Sequence, residues 1–475
     1  MKEIRGDVCI IGAGSGGLSV AAGTAQLGLK TILIERDAMG GDCLNTGCVP
    51  SKALLAAAKR AYIHRKNDIK GIAPHEPDID FAAVKDHVFD AINTIAPNDS
   101  QERFEKLGVT VIRETARFTA PDTVQAGEHL IKARYIIIAT GSRASVPPVP
   151  GLDKNKILTN DTIFFLREKP EHLLIIGGGP IGIEMAQAHR RLGCRTSVFE
   201  KGGILPRDDQ SNVDILRQSL KKEGIALYEN IQIREVKHTI SGLSMIVEKE
   251  GNTVEVTGSH LLVAAGREPD LESLDLEKAG IIFDKKGITV DARLRTNRKK
   301  IYAIGDVSGA PQFTHVAGYH AGIIIRNLCF KIPAKTDYSA LPWVTYTDPE
   351  LAQVGLTEEA ARKKHGNTIR VATWPFNEND RAITEHFTKG QIRIITDKKG
   401  KILGVSIVGS QAGELIGLWA LALSSGLKIS AVTNMIAPYP TLGEISKRAT
   451  GAWYTPSLFS NKTRRIVSLL QKLPF

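Results

Sequence analysis

The sequence predicts an α/β fold with two doubly wound domains, followed by a smaller α+β domain. The first observation is a pattern of strand, glycine-rich turn, helix and strand that occurs twice. The same spacing of 23 residues separates Gly12 from Glu35 and Gly177 from Glu200. The second observation is an alternation of apolar residues with period two on both sides of Gly400, which predicts paired strands near the end of the chain.

The first glycine turn follows a short apolar strand, residues 7–11, and opens a helix. Gly12 permits a tight turn, Gly14 lets the backbone approach a pyrophosphate, and Gly17 lets the helix pack closely on the strand. The helix N-terminus supplies an anion site, and Glu35 ends the next strand, where a carboxylate can accept a ribose hydroxyl. These features favour a dinucleotide site over a plain glycine turn.

The second glycine turn repeats the first, with Gly177, Gly179 and Gly182 as the corresponding glycines and Glu200 as the acidic residue. One such motif is a weak signal, because glycine turns are common. Two matched copies in one chain are far more specific and imply two bound dinucleotides.

Composition places the chain among globular proteins of roughly three domains. It has 475 residues, 42% hydrophobic and 24% charged, and no run of eighteen apolar residues that would predict a membrane-spanning helix. A strand begins at Asp7, so we expect no signal peptide, and the five cysteines do not suit a secreted disulfide framework. We therefore expect a cytoplasmic location. The net charge of +11 can attract anions, nucleic acid or acidic membranes.

Two cysteines, Cys43 and Cys48, lie in a glycine-bracketed segment just before a predicted helix over residues 53–65. A disulfide between them closes a very small loop and would stabilise the fold little, so redox chemistry is the better explanation. Pro50 suits the first turn of a helix. Cys48 would then lie at the positive end of the helix dipole, which lowers a thiol pKa. The alternative, two inert buried cysteines, is less favoured.

This segment, with Lys52 after it, resembles the redox-active motif of the FAD-dependent pyridine nucleotide–disulfide oxidoreductase family. The resemblance implies that Cys43 exchanges with substrate, that Cys48 lies against the flavin, and that Lys52 lies near its reactive nitrogen. The first glycine unit would bind FAD and the second NAD, and both domains would be Rossmann-like. The family has threonine at the position of Asp42, and a carboxylate there can raise the pKa of Cys43 and slow exchange.

The resemblance also implies the roles of other residues. Asp306 would bind the ribityl chain, the helix opened by Thr314 would face the flavin pyrimidine ring, and Glu184 would pair with Lys52. The remaining expected cofactor residues are Gly141 and Gly266. The carboxylate of Glu200 repels a 2′-phosphate and therefore favours NADH over NADPH, a preference that the adjacent Lys201 can soften.

Linkers rich in proline or glycine and the resemblance predict the domain boundaries. Residues 1–150 and 276–339 would form the FAD-binding domain, 151–275 the NAD-binding domain, and 340–475 the dimerisation domain. A homodimer with a shared active site follows from the resemblance.

The sequence departs from the family near its end. Where dihydrolipoamide dehydrogenase and glutathione reductase carry a histidine that serves as acid and base from the partner subunit, this chain has Tyr439, while the downstream Glu444 is kept. A tyrosine, with a reference pKa near 10, is a poor general base at neutral pH. Tyrosines near the active site are also a feature of mercuric reductases. Two other features of those enzymes, a C-terminal cysteine pair and an N-terminal metal-binding module, are not found.

Three functions therefore stay open. The first is an NADH-linked dithiol/disulfide oxidoreductase close to dihydrolipoamide dehydrogenase, acting on a small-molecule or protein-bound substrate. The second is a mercuric-reductase-like enzyme, in which Cys43 and Cys48 receive a soft metal ion; no resident metal site is predicted. The third is a flavin-loaded protein that binds a membrane or nucleic acid.

The last residues predict a basic amphipathic helix. Between Ile445 and Phe475 there are six Lys or Arg and no Asp or Glu. Apolar residues recur at helical spacing, with basic residues around them: Ile466, Leu469, Leu470 and Leu473, and Lys462, Arg464, Arg465 and Lys472. One interpretation is weak contact with an anionic membrane. The other, an ordinary helix packed on the dimer, is the commoner fate of such helices. No specific nucleic acid is expected.

Overall fold

The computed structural model describes residues 1–239 and 242–473. The chain divides into two compact units, each assembled from three segments. The first unit comprises residues 1–57, 79–177 and 233–337, and the second comprises residues 58–78, 178–232 and 338–475.

A mixed sheet forms the centre of the first unit, and seven of the described strands belong to it. Its order in space is Thr110–Ile112, Thr31–Ile34, Lys2–Ile11, His129–Ile138, Thr123–Ala126 and Ala116–Ala120, and Ile301–Ala303 also pairs with His129–Ile138. The first four strands and Ile301–Ala303 are parallel, whereas the other two join by antiparallel pairing. Because strands lie on both sides of Lys2–Ile11, its carboxyl end marks a switch point, where parallel α/β sheets bind ligands.

Both faces of the central strand are covered, which explains its continuous apolar run. Cys9 and Ile11 belong to one hydrophobic cluster, and Val8 and Ile10 belong to the other. A strand buried on both faces is typical of parallel sheets covered by helices.

The helices of the first unit flank this sheet. Their bounds are Ser15–Gln26, Gly41–Asn45, Phe81–Ile95, Gln101–Lys106 and Thr314–Leu328, and Cys48–Arg65 begins in this unit. The cysteine helix was expected from residue 53 but begins at Cys48. It begins earlier because a proline is tolerated in the first turn of a helix, where its missing N–H needs no partner. Cys43, expected in a turn, lies in the short helix Gly41–Asn45.

Strands of the predicted second glycine unit occur in both compact units. In the first unit His172–Ile176 pairs in parallel with His260–Val263, and in the second unit Arg195–Glu200 pairs in parallel with Ala226–Glu229. The helices are Pro180–Arg191 and Gln210–Lys222. The remaining strands of these regions are Ser142–Ala144 with Arg267–Pro269, Gln232–Thr239, Gly242–Lys249 with Asn252–Gly258, and Phe283–Asp284 with Gly287–Ile288.

A five-stranded antiparallel sheet and its helices complete the second unit. The strand order is Pro342–Thr345, Glu350–Gly355, Ile402–Gly409, Gln391–Asp397 and Ile369–Pro375. The helices are Glu358–His365, Asp380–Thr384, Ala412–Ser424, Ile429–Asn434, Glu444–Leu458 and Asn461–Leu470. Ile392 and Ile394 are fully buried while Arg393 between them is not, as the period-two pattern predicts. Ile395 and Thr396 are also fully buried, so the alternation of the strand ends at Ile394.

The fold class predicted from the sequence is confirmed: parallel α/β regions precede an α+β domain. The predicted domain boundaries stay predictions. None of the helices within the described ranges is both long enough and apolar enough to cross a bilayer.

Candidate active site

The two cysteines of the redox segment lie on neighbouring helices. Gly40, with a φ of 89°, starts the short helix that carries Cys43, and Cys48 is the first residue of the next helix. Both are free thiols that are hydrogen-bonded to each other, with Cys43 half-buried and Cys48 exposed. The pair is therefore close enough for thiol–disulfide chemistry.

The surroundings of Cys48 favour its thiolate. The hydrogen bond from Cys43, the Thr314 hydroxyl 3.3 Å from Cys48 Sγ, and the positive charge of Lys52 lower the pKa of Cys48 to about 6. Cys48 and Thr314 are each the first residue of a helix, so two helix N-termini meet at this sulfur. At pH 7 Cys48 is mostly a thiolate.

The surroundings of Cys43 have the opposite effect. Its hydrogen bond to Cys48, its burial and the negative charge of Cys48 raise the pKa of the Cys43 thiol, and the Asp42 carboxylate raises it further. One proton and one negative charge are thus divided between the two sulfurs, with the proton on Cys43.

The Asp42 carboxylate is held in place by three partners. Its Oδ1 accepts hydrogen bonds from Thr46 Oγ1 and Asn160 Nδ2, both at 2.8 Å, and its Oδ2 lies 3.4 Å from a guanidinium nitrogen of Arg267. Asn160 and Arg267 were not singled out from the sequence. Their contacts with Asp42 span long sequence separations, for which the local pattern carries no signal.

The first glycine loop has the geometry that the sequence predicted. Gly12 has a φ of 105°, and a Cβ there would lie 2.4 Å from the Ala139 carbonyl oxygen. A Cβ on Gly17 would lie 1.9 Å from the Gly12 carbonyl oxygen, so helix and strand touch at that point. A Cβ on Gly14 would meet no protein atom within 4 Å. Gly14 therefore borders open space at the helix N-terminus.

The cysteine segment packs directly on this loop. Gly40 N–H donates to the Ala13 carbonyl at 3.0 Å, and a Cβ on Gly41 would lie 2.7 Å from Gly14 Cα. The glycines before Cys43 thus allow a close approach between two backbones. They hold the redox pair beside the open space at Gly14.

The residues around this space fit FAD. Gly141, with a φ of 71°, also faces open space. Burial raises the pKa of Asp306, whose Oδ2 accepts a 2.5 Å hydrogen bond from Ser142 Oγ. Helix N-termini, glycines without nearby atoms and a buried carboxylate are the features that bind a pyrophosphate and a polyol.

The acidic residues of both glycine units contact the glycine loops. Glu35 Oε2 accepts the Ala13 N–H at 2.6 Å, and Glu200 Oε2 accepts the Gly178 N–H at 2.7 Å. Glu200 Oε1 also accepts the Gly202 N–H at 3.0 Å. Each carboxylate therefore holds its own loop, and its expected contact with a ribose stays a prediction.

The second glycine unit repeats the local features of the first. Gly177 has a φ of 113°, and a Cβ there would lie 2.3 Å from the Ala264 carbonyl oxygen. Gly179 and Gly266 face open space, and Gly182 is buried within its helix. The loop therefore has the conformation that a second dinucleotide requires.

The predicted pair of Lys52 and Glu184 stays a prediction. Lys52 Nζ contacts Ser51 Oγ at 3.3 Å in the first unit. In the second unit, the buried Glu184 accepts the Tyr346 N–H at 2.9 Å. Both side chains have further interactions.

Tyr439 is 67% exposed, and its hydroxyl donates to Asp380 Oδ2 at 3.1 Å. This hydrogen bond and the charge of Asp380 raise the pKa of Tyr439, which makes it a still poorer base. Glu444 is the first residue of its helix. Asp380 was not singled out from the sequence, because it lies 59 residues from Tyr439.

His320, one of the histidines of the first unit, is unsuited to replace Tyr439 as the general base. It is fully buried, and its Nδ1 accepts the Gly305 N–H at 3.0 Å. Burial lowers the pKa of His320 to about 4, so the ring is neutral at pH 7.

Comparison with known protein families agrees with this geometry. Residues 6–321 match the pyridine nucleotide-disulphide oxidoreductase model, and residues 341–450 match the dimerisation domain of the same family. The second match supports a homodimer.

Individual relatives cover nearly the whole chain. A mercuric reductase of Lysinibacillus sphaericus is 33% identical over 94% of this chain and 83% of its own length. A mitochondrial dihydrolipoyl dehydrogenase of Pisum sativum is 36% identical over 94% of this chain and 91% of its own.

A solved structure is also similar. It is the Cu(II) complex of the HOCl-induced flavoprotein disulfide reductase RclA from Escherichia coli, with a TM-score of 0.84 and 28% identity over 94% of this chain and 99% of that one. From these matches and the redox site, we conclude that this chain belongs to the pyridine nucleotide–disulfide oxidoreductase family, whose members are oxidoreductases that use FAD and NAD(P)H.

Proposed function

We propose that this protein is an NADH-dependent disulfide oxidoreductase of the dihydrolipoyl dehydrogenase type, acting as a homodimer in the cytoplasm. Its substrate would be a small-molecule or protein-bound dithiol or disulfide. The observation that carries the proposal is the position of the Cys43–Cys48 pair: Cys48 lies at two helix N-termini, with its Sγ 3.3 Å from the Thr314 hydroxyl, beside a glycine loop that fits FAD.

In this proposal the two glycine units hold the two cofactors. FAD would be held by Gly12, Gly14, Gly17, Glu35, Lys52, Gly141, Asp306 and Thr314, and NADH by Gly177, Gly179, Gly182, Glu200 and Gly266. Bound FAD supplies the means to take a hydride from NADH and deliver its electron pair to the Cys43–Cys48 disulfide. Lys52 and Glu184 would pair to fix the geometry of this site.

The two cysteines then exchange with the substrate. The Cys43 thiol loses its proton, and its sulfur attacks one sulfur of the substrate disulfide, so a mixed disulfide forms and a substrate thiolate leaves. The Cys48 thiolate next attacks Cys43, which releases the second substrate thiolate and closes the Cys43–Cys48 disulfide. Two electrons pass to the substrate, and two protons are taken up as its thiolates become thiols.

A substrate panel tests this function. The FAD-loaded enzyme would be assayed for NADH oxidation with lipoamide, glutathione disulfide, quinones, oxygen and Hg(II). Turnover of a disulfide that is abolished in Cys43→Ser supports the proposal. Turnover of oxygen or quinones alone, unchanged in Cys43→Ser, contradicts it.

The nucleotide preference is tested separately. We expect a higher kcat/KM for NADH than for NADPH, because the Glu200 carboxylate lies at the loop and repels a 2′-phosphate. Glu200→Gln removes the charge and keeps one of the two oxygens that accept N–H groups of the loop. It should therefore reduce the ratio of kcat/KM for NADH to kcat/KM for NADPH. An equal kcat/KM for both nucleotides in the wild type would show that another residue overrides the carboxylate.

A second candidate is the reduction of a soft metal ion. Several relatives are named mercuric reductase, and the similar solved structure is a Cu(II) complex. Tyr439 favours this candidate, because such a reaction needs no base for a dithiol substrate. NADH-dependent loss of Hg(II) in excess thiol, faster than the turnover of any disulfide, would decide for it.

A further inference from the structure

The helix Asn461–Leu470 projects its apolar side chains into solvent. None of its residues is buried. The exposed fractions are 45% for Ile466, 48% for Val467, 65% for Leu469 and 56% for Leu470. The Ser460 hydroxyl accepts the Thr463 N–H at 3.2 Å and caps the helix start. The helix thus has an ordered first turn, while its apolar side chains stay exposed.

The apolar surface extends beyond the helix on both sides. Leu458 and Phe459, at the end of the preceding helix, are 56% and 62% exposed, and Leu473 is 63% exposed. Single exposed apolar residues are normal on a protein surface, whereas seven of them within the sixteen residues from Leu458 to Leu473 indicate an interaction surface.

The charges on the helix are all of one sign. Lys462, Arg464, Arg465 and Lys472 are exposed, and from Ile445 to the end of the sequence there is no acidic residue. At 100° per residue, Arg464 and Arg465 lie on the side of the helix opposite Ile466 and Leu470. The helix therefore combines an apolar face with a basic face.

We propose that this C-terminal helix docks on an anionic lipid bilayer. A helix of this kind lies in the membrane interface, with its apolar face among the acyl chains and its basic residues at the phosphates. The proposal goes beyond the redox reaction, because it concerns where the enzyme works.

An anionic bilayer fits this surface better than a second copy of the chain or a nucleic acid does. The match to the dimerisation domain ends at residue 450, before the helix begins, so it gives no support for a second copy of the chain on this surface. Nucleic acid would neutralise the basic face but leave the apolar face in water. An anionic bilayer would contact the apolar face with its acyl chains and the basic face with its phosphates.

Vesicle co-sedimentation of the full-length, FAD-loaded protein tests the proposal. We expect binding to vesicles of phosphatidylglycerol and phosphatidylcholine, weak binding to pure phosphatidylcholine, and loss of binding at high salt. Each basic residue near an anionic surface should contribute a factor of about five to the partition coefficient. Removal of the residues after Ser460 should abolish binding and leave the flavin absorbance unchanged.

A matched pair of variants separates insertion from simple charge attraction. Leu470→Glu and Ser468→Glu add the same charge to the same helix, but only the first lies on the apolar face. Leu470→Glu should bind at least about tenfold more weakly than Ser468→Glu, because it loses the transfer of a leucine side chain into the bilayer. Light scattering should show the same mass for both variants and the wild type.

Several results would overturn the proposal. These are failure of the wild type to bind anionic vesicles at low salt, equal binding by the two variants, and preferential binding of duplex DNA over vesicles. A lower oligomeric mass of Leu470→Glu or of the truncated chain would show that the helix packs on the partner subunit instead.

Discussion

Cys43 and Cys48 differ in charge because they differ in neighbours. Thr314 and Lys52 favour the negative charge on Cys48, while Asp42 and burial disfavour it on Cys43. A thiolate with a low pKa also makes the better leaving group in exchange, so Cys48 is suited to be released when a substrate sulfur attacks Cys43.

This division predicts a spectroscopic signature. When the FAD-loaded enzyme is reduced by two electrons, we expect a long-wavelength absorbance band from the Cys48 thiolate beside the flavin. The pKa of Cys48 is lowered to about 6, so the band should be present at pH 7 and disappear as the pH falls through about 6. Cys43→Ser has no disulfide to reduce, so it should show the band before any reductant is added, and Cys48→Ser should show no band in either state. The reverse pattern would exchange the two roles.

Asp42 predicts a change in the rate of exchange. Asp42→Asn removes a negative charge that raises the pKa of Cys43, so more thiolate forms and disulfide exchange at pH 7 should become faster. The increase should be severalfold at most, because a charge interaction at a half-exposed site is worth under about 1 kcal/mol. Rapid-mixing measurement of exchange with a small disulfide would check it.

Asp37→Asn is the matched control for Asp42. It removes the same charge from an exposed position whose contact is Arg36 Nε at 2.9 Å. Exchange rates that respond equally to both variants would point to the net charge of the protein rather than to the carboxylate beside Cys43.

At the scale of elements, the glycine loop predicts that the same change, glycine to alanine, has different effects at two of its positions. Gly17→Ala places a Cβ 1.9 Å from the Gly12 carbonyl oxygen, so it should destabilise the protein by about 1–3 kcal/mol or more. Gly14→Ala meets no protein atom, so it should fold normally but lose FAD, because its Cβ occupies the space for the pyrophosphate. Thermal unfolding of the flavin-free protein and flavin content per chain are the two measurements. Full flavin content in Gly14→Ala would place the cofactor elsewhere.

The same elements show what the sequence could predict. The apolar strand predicted over residues 7–11 ends at Ile11 as predicted, although it begins at Lys2, because a continuous apolar run next to a glycine turn is a local signal. The short helix Gly41–Asn45 was missed, since its first residues are fixed by close contact with Gly14, a tertiary feature. Arg267 and Asn160 at Asp42 were missed for the same reason. The local sequence pattern identifies helices and strands, whereas side-chain partners that are distant in sequence can be identified only from the folded structure.

At the scale of the whole molecule, the family match to a dimerisation domain supports a homodimer. By the family resemblance, Tyr439 and Glu444 would act in the site of the partner subunit, so the active site would depend on the assembly. This chain would then bring a tyrosine, bonded to Asp380, to the position of the family's histidine. Exchange with a dithiol should therefore depend on the dimer more strongly than reduction of the enzyme by NADH does.

Tyr439 predicts slow oxidation of dihydrolipoamide at pH 7. General acid–base catalysis is worth about 10² to 10⁴ in rate, and Tyr439, whose pKa is raised by Asp380, forfeits most of it. The rate should rise with pH as the substrate thiol ionises by itself. Stopped-flow reduction of the enzyme by NADH should not depend on this residue, because that step needs no proton from a dithiol.

The substitution Tyr439→His supplies the missing base and should raise dithiol turnover at pH 7 by tenfold or more, up to the range of about 10² to 10⁴ for general acid–base catalysis. By the family resemblance, Glu444 would remain to orient the ring and stabilise its positive charge. Tyr439→Phe is the control, since it removes the hydroxyl without adding a base, and it should turn over like the wild type.

Rapid wild-type oxidation of dihydrolipoamide at pH 7 with a bell-shaped pH profile would mean that another group serves as the base. His320 is unsuited to that role because it is buried and neutral. His315, which is exposed and stacks on Phe313 with ring centroids 5.2 Å apart, and Asp42 beside Cys43 would then be the residues to substitute next.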